Sequence, residues 1–227
     1  MAIKPILFNT EMVRAILDGR KDATRRIVKG FIPDDAVWGY TAFTPKGYIS
    51  CRGTFADGYG EKFFKLPCEP GDILYVRETF AWCPCWDCGF DTIPDGCRHP
   101  VIYDSKKREH GCYMYRASCE DNEYPSADTW HPSIHMPKEA ARIWLKVTDV
   151  RVERLQEISE DGAKAEGANF KNGKNVGFEE KMNRTAIERF TEIWNSTIKK
   201  SDLDRYGWDA NPWVWVIEFE RCEKPQK

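Results

Sequence analysis

Apolar and polar residues alternate from Ala141 to Leu155, and this is the clearest periodic pattern in the chain. A period of two over that length predicts a β-strand with one buried face. Shorter strands, separated by turn-forming residues, are predicted at 3–8, 37–40, 47–51, 62–65, 70–78 and 213–220. Strands therefore dominate the predicted elements.

Helices are predicted between these strands. In the segment Thr10–Asp18, apolar residues recur at helical spacing. Asn9 or Thr10 can cap its first free amides, and Gly19 can close its far end. Further helices are predicted at 159–167 and 178–198. The order of strands and helices favours an α+β fold with a small mixed β-barrel and flanking helices.

Composition limits what the chain can be. Its 227 residues are enough for one elaborated domain, or for one domain with a subdomain. The hydrophobic content of 41% and the aromatic content of 13% favour a folded globule. There is no apolar run long enough to span a bilayer and no signal-peptide pattern, so we expect a cytoplasmic protein without a membrane partner. The formal net charge of −2 means that any nucleic-acid binding must depend on a local basic patch.

The segment Gly19–Arg26 is such a patch. Within eight residues it holds four cations, one hydroxyl and one carboxylate. It is too polar for a core and more basic than the average surface of this chain, so we expect it to contact a ligand. In the alternative interpretation, Arg25 and Arg26 form a solvated surface pair and Thr24 begins a strand.

Residues 80–137 contain six of the nine cysteines, all four histidines and many loop formers. Such a segment needs something other than a large core to stabilise it. The two-residue gap between Cys85 and Cys88 lets both thiolates bind one tetrahedral zinc ion. The other two ligands are expected from Cys97, His99, Cys112 and Cys119, with Cys97 and Cys112 as the preferred pair. The alternative is a set of reduced, partly buried thiols.

Four further residues are candidates for ligand binding. Trp130, Ser133 and His135 lie in a proline-stiffened segment and offer a stacking surface, a hydroxyl and a titratable ring, as a base pocket does. Glu78 follows Arg77 at the end of a predicted strand, where alternation points one of the two toward a cleft. For a histidine such as His135, the alternative is a hydrogen bond near the core.

Five short segments occur in an order that carries a resemblance. They are Gly19-Arg20-Lys21 with Thr24 and Arg25, PGDILYV at 70–76, VTDV at 147–150, EDGAKAEG at 160–167 and WVIEF at 215–219. In this order they resemble the ASCH family, which has a PUA-like β-barrel fold. The segment 130–137 and the long insertion are similar to those of larger members found in phages and prophages.

The resemblance implies one ASCH/PUA-like domain over residues 1–222, interrupted by the cysteine-rich insertion 80–137 and followed by a tail at 223–227. It also implies binding of RNA or of a nucleoside in a cleft beside the barrel. Small bacterial members hydrolyse acetylated cytidine with a lysine, a threonine and a glutamate. By position, these correspond to Lys21, Thr24 and Glu166 here.

Amide hydrolysis needs a nucleophile, a base and a proton for the leaving amine. In the implied mechanism Thr24 attacks, Lys21 takes the proton, and Glu166 orients or protonates the exocyclic nitrogen. Cations nearby would hold a phosphate or the oxyanion, and the candidates are Arg20, Arg25 and Arg26. No cofactor is needed for this chemistry.

Asp22 departs from the family pattern, because small active members have a threonine at this position. Asp22 could pair with Lys21 and keep it protonated, which would make Lys21 a poor base and a good phosphate ligand. Two alternatives to a hydrolase therefore remain. One is a non-catalytic reader of RNA or of a modified base, and the other is a phage-encoded protein that binds a host protein.

Overall fold

The computed structural model describes residues 1–84, 102–104, 109–119, 129–168 and 184–225. The strands are β1 Ile3–Leu7, β2 Ala23–Ile27, β3 Val37–Gly39, β4 Tyr48–Phe55, β5 Gly58–Lys65, β6 Ile73–Arg77, β7 Phe80–Pro84, β8 Ile102–Asp104, β9 Glu109–Tyr115, β10 Trp144–Arg154 and β11 Trp213–Cys222. The α-helices are α1 Thr10–Leu17, α2 Glu160–Ala165, α3 Ala186–Thr197 and α4 Leu203–Tyr206. Within these residues, no helix is long and apolar enough to cross a bilayer.

The chain divides into two compact units. The first unit comprises Met1–Ala2, Gly19–Ile73 and Leu145–Arg221. The second unit comprises Ile3–Asp18, Leu74–Trp144 and Cys222–Lys227. The α+β class predicted from the sequence is confirmed, since strands and helices both contribute to the described residues.

In the first unit, β2 pairs antiparallel with β11, and β11 also neighbours β10. The register sets Ala23 opposite Glu218, Thr24 opposite Ile217 and Arg25 opposite Val216. Side chains alternate along a strand, so Ala23 and Arg25 share one face of the sheet and Thr24 lies on the other.

Helices α2 and α3 cover the Arg25 face. A capping box formed by Thr185 and Glu188 starts α3, and Ser159 caps α2. Ala186, Phe190 and Trp194 follow at four-residue spacing, which places them on one side of α3. This side joins a buried cluster with Leu155, Ile158, Ala163, Ala168, Val214 and Val216. The core of the first unit therefore lies between these helices and β11.

A second sheet of the first unit has the order β3-β4-β5 and is antiparallel throughout. Trp38 on β3 packs its ring against Phe64, Trp213 and Trp215 at centroid distances of 5.1, 5.7 and 6.3 Å. The C-terminal tryptophans Trp213 and Trp215 thus contribute to packing.

In the second unit, β1 neighbours β6, and β7, β9 and β8 form an antiparallel sheet in the order β7-β9-β8. This sheet lies within 80–137, where the sequence predicted loops. Aromatic pairs stabilise it, because Tyr113 packs against Phe80 and Trp82 at 5.9 and 5.3 Å. The described part of this segment is therefore more regular than its composition indicates.

The strands in the described ranges form open sheets, and none of these sheets closes into a barrel. The small barrel predicted from the sequence is thus not confirmed.

Candidate functional site

Lys21 and Glu166 meet through both backbone and side chain. After α1 the chain turns at Gly19, which has a positive φ of 69°. Lys21 and Glu166 then form an isolated antiparallel bridge, and Asp22 N donates to Ala165 O at 3.0 Å. The segment that enters β2 therefore runs along the C-terminal end of α2.

The side chains of this pair are almost completely buried, with 0% of Lys21 and 5% of Glu166 exposed. Lys21 Nζ donates to Glu166 Oε2 at 2.5 Å, to Ala23 O at 2.7 Å and to Glu166 O at 3.0 Å. An ammonium has three N–H donors, so these acceptors match the protonated form of Lys21. The carboxylate that neutralises Lys21 is thus Glu166, whereas the sequence suggested Asp22.

Burial and the nearby cations perturb the titration of Lys21. Burial is the largest cause and lowers the pKa of Lys21 from its usual value, the charge of Glu166 opposes this, and the charges of Arg26 and Arg25 lower it further. Burial also lowers the pKa of Arg26, again against the charge of Glu166. Lys21 therefore gives up its proton more readily than a lysine in water.

Arg25 lies between two carboxylates. Its Nη1 is 3.4 Å from Glu166 Oε1, while its Nη2 and Nε donate to Glu153 Oε1 at 2.5 and 3.1 Å. Its guanidinium also lies 5.8 Å from the centre of the Phe190 ring. Only 3% of the Arg25 side chain is exposed, so the interpretation of Arg25 as a solvated surface residue is wrong.

A cavity of about 350 Å³ adjoins the pair. Its lining includes Asp22 and Ala23, which follow Lys21 in the chain, and Ala165, which precedes Glu166, whereas Lys21 and Glu166 themselves do not line it. The remaining wall comes from β10, α2 with its cap, and β11, with Thr148, Arg151, Ser159, Asp161, Gly162, Glu218 and Phe219. Three carboxylates and one guanidinium give this lining a negative formal charge.

The other predicted residues of the basic segment occupy different positions. Thr24 is buried on the face of β2 opposite Ala23 and Arg25, and it is not among the residues that line the cavity. Arg20 is half-buried, and its Nη1 donates to Gly167 O at 3.3 Å. Arg26 is half-buried and lies opposite Trp215. The structure thus brings together Lys21, Arg25 and Glu166, with Thr24 on the other face.

The remaining predicted ligand-binding residues belong to the second unit. Glu78 is buried and accepts from Arg142 Nε at 2.8 Å and Nη2 at 2.9 Å. Ser133 and His135 lie in one 3₁₀ turn, which follows Trp130. This turn is held by Arg77, which donates to the backbone oxygens of Ile134 and Met136.

The zinc prediction falls largely outside the described residues, because Cys85, Cys88 and Cys97 are not among them. Cys112 is buried on β9, directly opposite Cys83 on β7. In the described ranges, no three side chains of the metal-binding types come together. The zinc site stays a prediction.

Sequence reasoning missed four charged residues of this site, namely Arg151, Glu153, Asp161 and Glu218. Glu153 contacts Arg25, and the other three line the cavity. Glu153 and Arg151 lie in an alternating strand, where polar positions indicate only a solvated face. Asp161 lies in the helix predicted at 159–167, and the sequence indicates no role for it in a site.

Comparison of the chain with family models, curated proteins and solved structures gives no match.

Proposed function

We propose that the protein is an ASCH-like binder of a nucleoside, which it holds in the cavity beside Lys21 and Glu166. The carrying observation is that two residues 145 positions apart form a buried ion pair, with their chain neighbours lining a cavity of about 350 Å³. This volume is at the lower end of the ~300–1,000 Å³ range of small-molecule sites. It suits one nucleoside better than a folded RNA segment.

The charge of the cavity favours the same ligand. Asp22, Asp161 and Glu218 line it against a single cation, Arg151, which already contacts Glu218 Oε1 at 2.5 Å. Phosphate groups would be repelled by such a wall, whereas the N–H donors of a nucleobase can pair with carboxylates. A neutral nucleoside is therefore the preferred ligand, and RNA binding is the alternative.

Binding can be tested with cytidine, acetylated cytidine, cytidine monophosphate and a short single-stranded RNA, using isothermal titration calorimetry. We expect the two nucleosides to bind more tightly than the monophosphate. Asp161→Asn should weaken nucleoside binding, while Glu220→Gln, outside the cavity, serves as the control. Tighter binding of the RNA than of every nucleoside would favour the alternative reader function.

Hydrolysis of an amide on a modified cytidine is the second candidate. The observation that favours it is the lowered pKa of Lys21 in contact with a carboxylate. In this mechanism Thr24 Oγ adds to the acyl carbon and its proton passes to Lys21 Nζ. The tetrahedral intermediate expels the exocyclic amine, which receives this proton from Lys21 through the Glu166 carboxylate, and water then cleaves the threonine ester to regenerate Thr24 and release the carboxylic acid.

This chemistry makes two demands on the site. Lys21 must lose a proton, and with it at least one of its three hydrogen bonds, before it can act as a base. Thr24 must also reach the substrate from its own face of β2. Loss of the acetyl group from acetylated cytidine is the direct assay, with Thr24→Ala and Lys21→Met as variants. If the wild type binds nucleosides but shows no turnover, the hydrolase function is refuted and the binding function remains.

A further inference from the structure

Arg25 contacts two carboxylates, but its hydrogen bonds to them are unequal. It gives two donors to Glu153 Oε1, at 2.5 and 3.1 Å, and reaches Glu166 Oε1 only at 3.4 Å. The other oxygen of Glu166 contacts Lys21 at 2.5 Å. Glu166 is thus paired mainly with Lys21, and Arg25 mainly with Glu153.

Glu153 is itself held from the cavity side. Its Oε2 lies 3.5 Å from Arg151 Nε, and Arg151 Nη1 contacts Glu218 Oε1 at 2.5 Å and Asp149 Oδ2 at 2.9 Å. Charges of alternating sign therefore run from the buried Lys21 to the cavity wall. The side chains of Lys21, Glu166 and Arg25 are at most 5% exposed, whereas that of Glu153 is 17% exposed and that of Arg151 is 43% exposed.

We propose that Glu153 is a positioning residue, which holds the Arg25 guanidinium back from Glu166 and so reserves the Glu166 carboxylate for Lys21. The physical reason is the low dielectric around these groups, which makes an unpaired charge costly. If Arg25 loses Glu153, its guanidinium is therefore attracted to the remaining carboxylate, that of Glu166. Without Glu153, Arg25 pairs with Glu166, and Lys21 loses part of its counter-charge. What this does to a ligand rests on the proposed function, but the arrangement itself does not.

The direction in which Glu153 changes the pKa of Lys21 depends on the charged groups of the segments around Lys21. They are Arg20, Asp22, Arg25 and Arg26 on the basic segment, Glu166 after α2, Glu153 and Arg151 on β10, and Glu218 on β11. The charge of Glu166 raises the pKa of Lys21 and the charge of Arg25 lowers it. Glu153→Gln should therefore lower the pKa of Lys21, and Arg25→Gln should raise it.

The test is a direct titration of Lys21 by NMR in protein labelled at the lysine side chains, with the Lys21 signal assigned from its loss in Lys21→Met. We expect shifts of about one pH unit in opposite directions for Glu153→Gln and Arg25→Gln. Glu220→Gln removes an exposed carboxylate that lies 3.3 Å from Lys146, and it should leave Lys21 unchanged. The proposal would be overturned if the pKa of Lys21 were the same in the wild type and in Glu153→Gln. It would also be overturned if Glu153→Gln and Arg25→Gln shifted this pKa in the same direction.

Two additions keep the outcome decisive. Thermal denaturation establishes that each variant is folded, and Glu153→Asp, which keeps the charge, should shift Lys21 less than Glu153→Gln does. If Glu153→Gln does not fold, a raised pKa of Lys21 in Glu153→Asp or a lowered pKa of Lys21 in Arg25→Gln contradicts the proposal. Absence of nucleoside binding would refute the proposed function. The Lys21 titration would then still test whether Glu153 positions Arg25.

Discussion

Lys21 Nζ lies 2.5 Å from Glu166 Oε2, although the two residues are 145 positions apart in the chain. The contact exists because the end of α2 lies against the segment that enters β2, where Asp22 N donates to Ala165 O and Phe219 N donates to Asp22 O. Both charges are out of water, so each depends on the other. Removal of either charge should therefore change both the stability of the protein and the pKa of the remaining partner.

Glu166→Gln is expected to lower the free energy of unfolding by about 3 kcal/mol, because it leaves a buried ammonium without its carboxylate. Lys21→Met should destabilise by a similar mechanism. The double variant Lys21→Met/Glu166→Gln should cost less than the sum of the two single changes, since no uncompensated charge remains. Urea denaturation of the four proteins measures this.

The matched control is the exposed pair of Lys146 and Glu220, which are 3.3 Å apart with side chains 52% and 59% exposed. Glu220→Gln should change the free energy of unfolding by less than about 1 kcal/mol. Strict additivity in the Lys21 and Glu166 cycle would show that the two side chains do not interact energetically.

The pH dependence of stability offers a separate check. The pKa of Lys21 in the folded protein is below the 10.5 that applies to the unfolded chain. Between those two values the unfolded chain binds more protons, so the contribution of Lys21 to the free energy of unfolding increases with pH. Lys21→Met should lack this rise, and urea midpoints measured from neutral pH to about 10 should show the difference.

The titration of Tyr115 does not affect the comparison between wild type and Lys21→Met. Burial raises its pKa to about 12, which makes stability fall with pH above the ordinary tyrosine value near 10. That fall is common to wild type and Lys21→Met and cancels in their difference. Parallel pH profiles for the two proteins would contradict a lowered pKa of Lys21.

Local patterns predicted several elements well. The helix expected at Thr10–Asp18 is confirmed as Thr10–Leu17, with Asn9 as its cap through a bond from Met12 N at 2.9 Å. The alternating segment Ala141–Leu155 is confirmed as the strand Trp144–Arg154. Both signals are periodic and depend on neighbours within a few residues. The strands β7 and β9 were missed because cysteine, glycine and proline hide their alternation, and β8 was missed because it has only three residues.

The candidate site was predictable only in part. Lys21 and Glu166 were identified together through the family resemblance, and no pattern in the sequence indicates that they touch. Glu153 could not be found, because a carboxylate on an alternating strand looks solvated until its partner is known. Arg25 shows the same limit, since its buried position depends on Glu153 and Glu166, which are 128 and 141 positions away.

The predicted structural zinc leads to a simple measurement. Protein purified without added zinc is expected to contain close to one zinc ion per chain, because four thiolates bind zinc tightly enough to survive purification. Cys112→Ser should lower both the zinc content and the thermal stability, whereas Cys222→Ser, outside the predicted ligand set, serves as the control. A zinc content near zero in the wild type would remove the site.

Gly111 on β9 is a position where a single methyl group should be destabilising. A Cβ there would lie 2.5 Å from Trp82 Cζ2 and 2.6 Å from Cys83 O. Trp82 is 3% exposed, so its ring is closely packed, and Cys83 O is a backbone atom. Gly111→Ala is therefore expected to lower the free energy of unfolding by about 1–3 kcal/mol, as measured by urea denaturation.

Gly60 on β5 provides the contrast for that substitution. A Cβ at Gly60 meets nothing within 4 Å, and its backbone has no positive φ, so alanine fits without strain. Gly60→Ala should raise the free energy of unfolding by up to about 1 kcal/mol, because alanine restricts the unfolded chain. If Gly111→Ala and Gly60→Ala changed stability equally, the close packing of Trp82 on β9 would not be the reason for glycine at position 111.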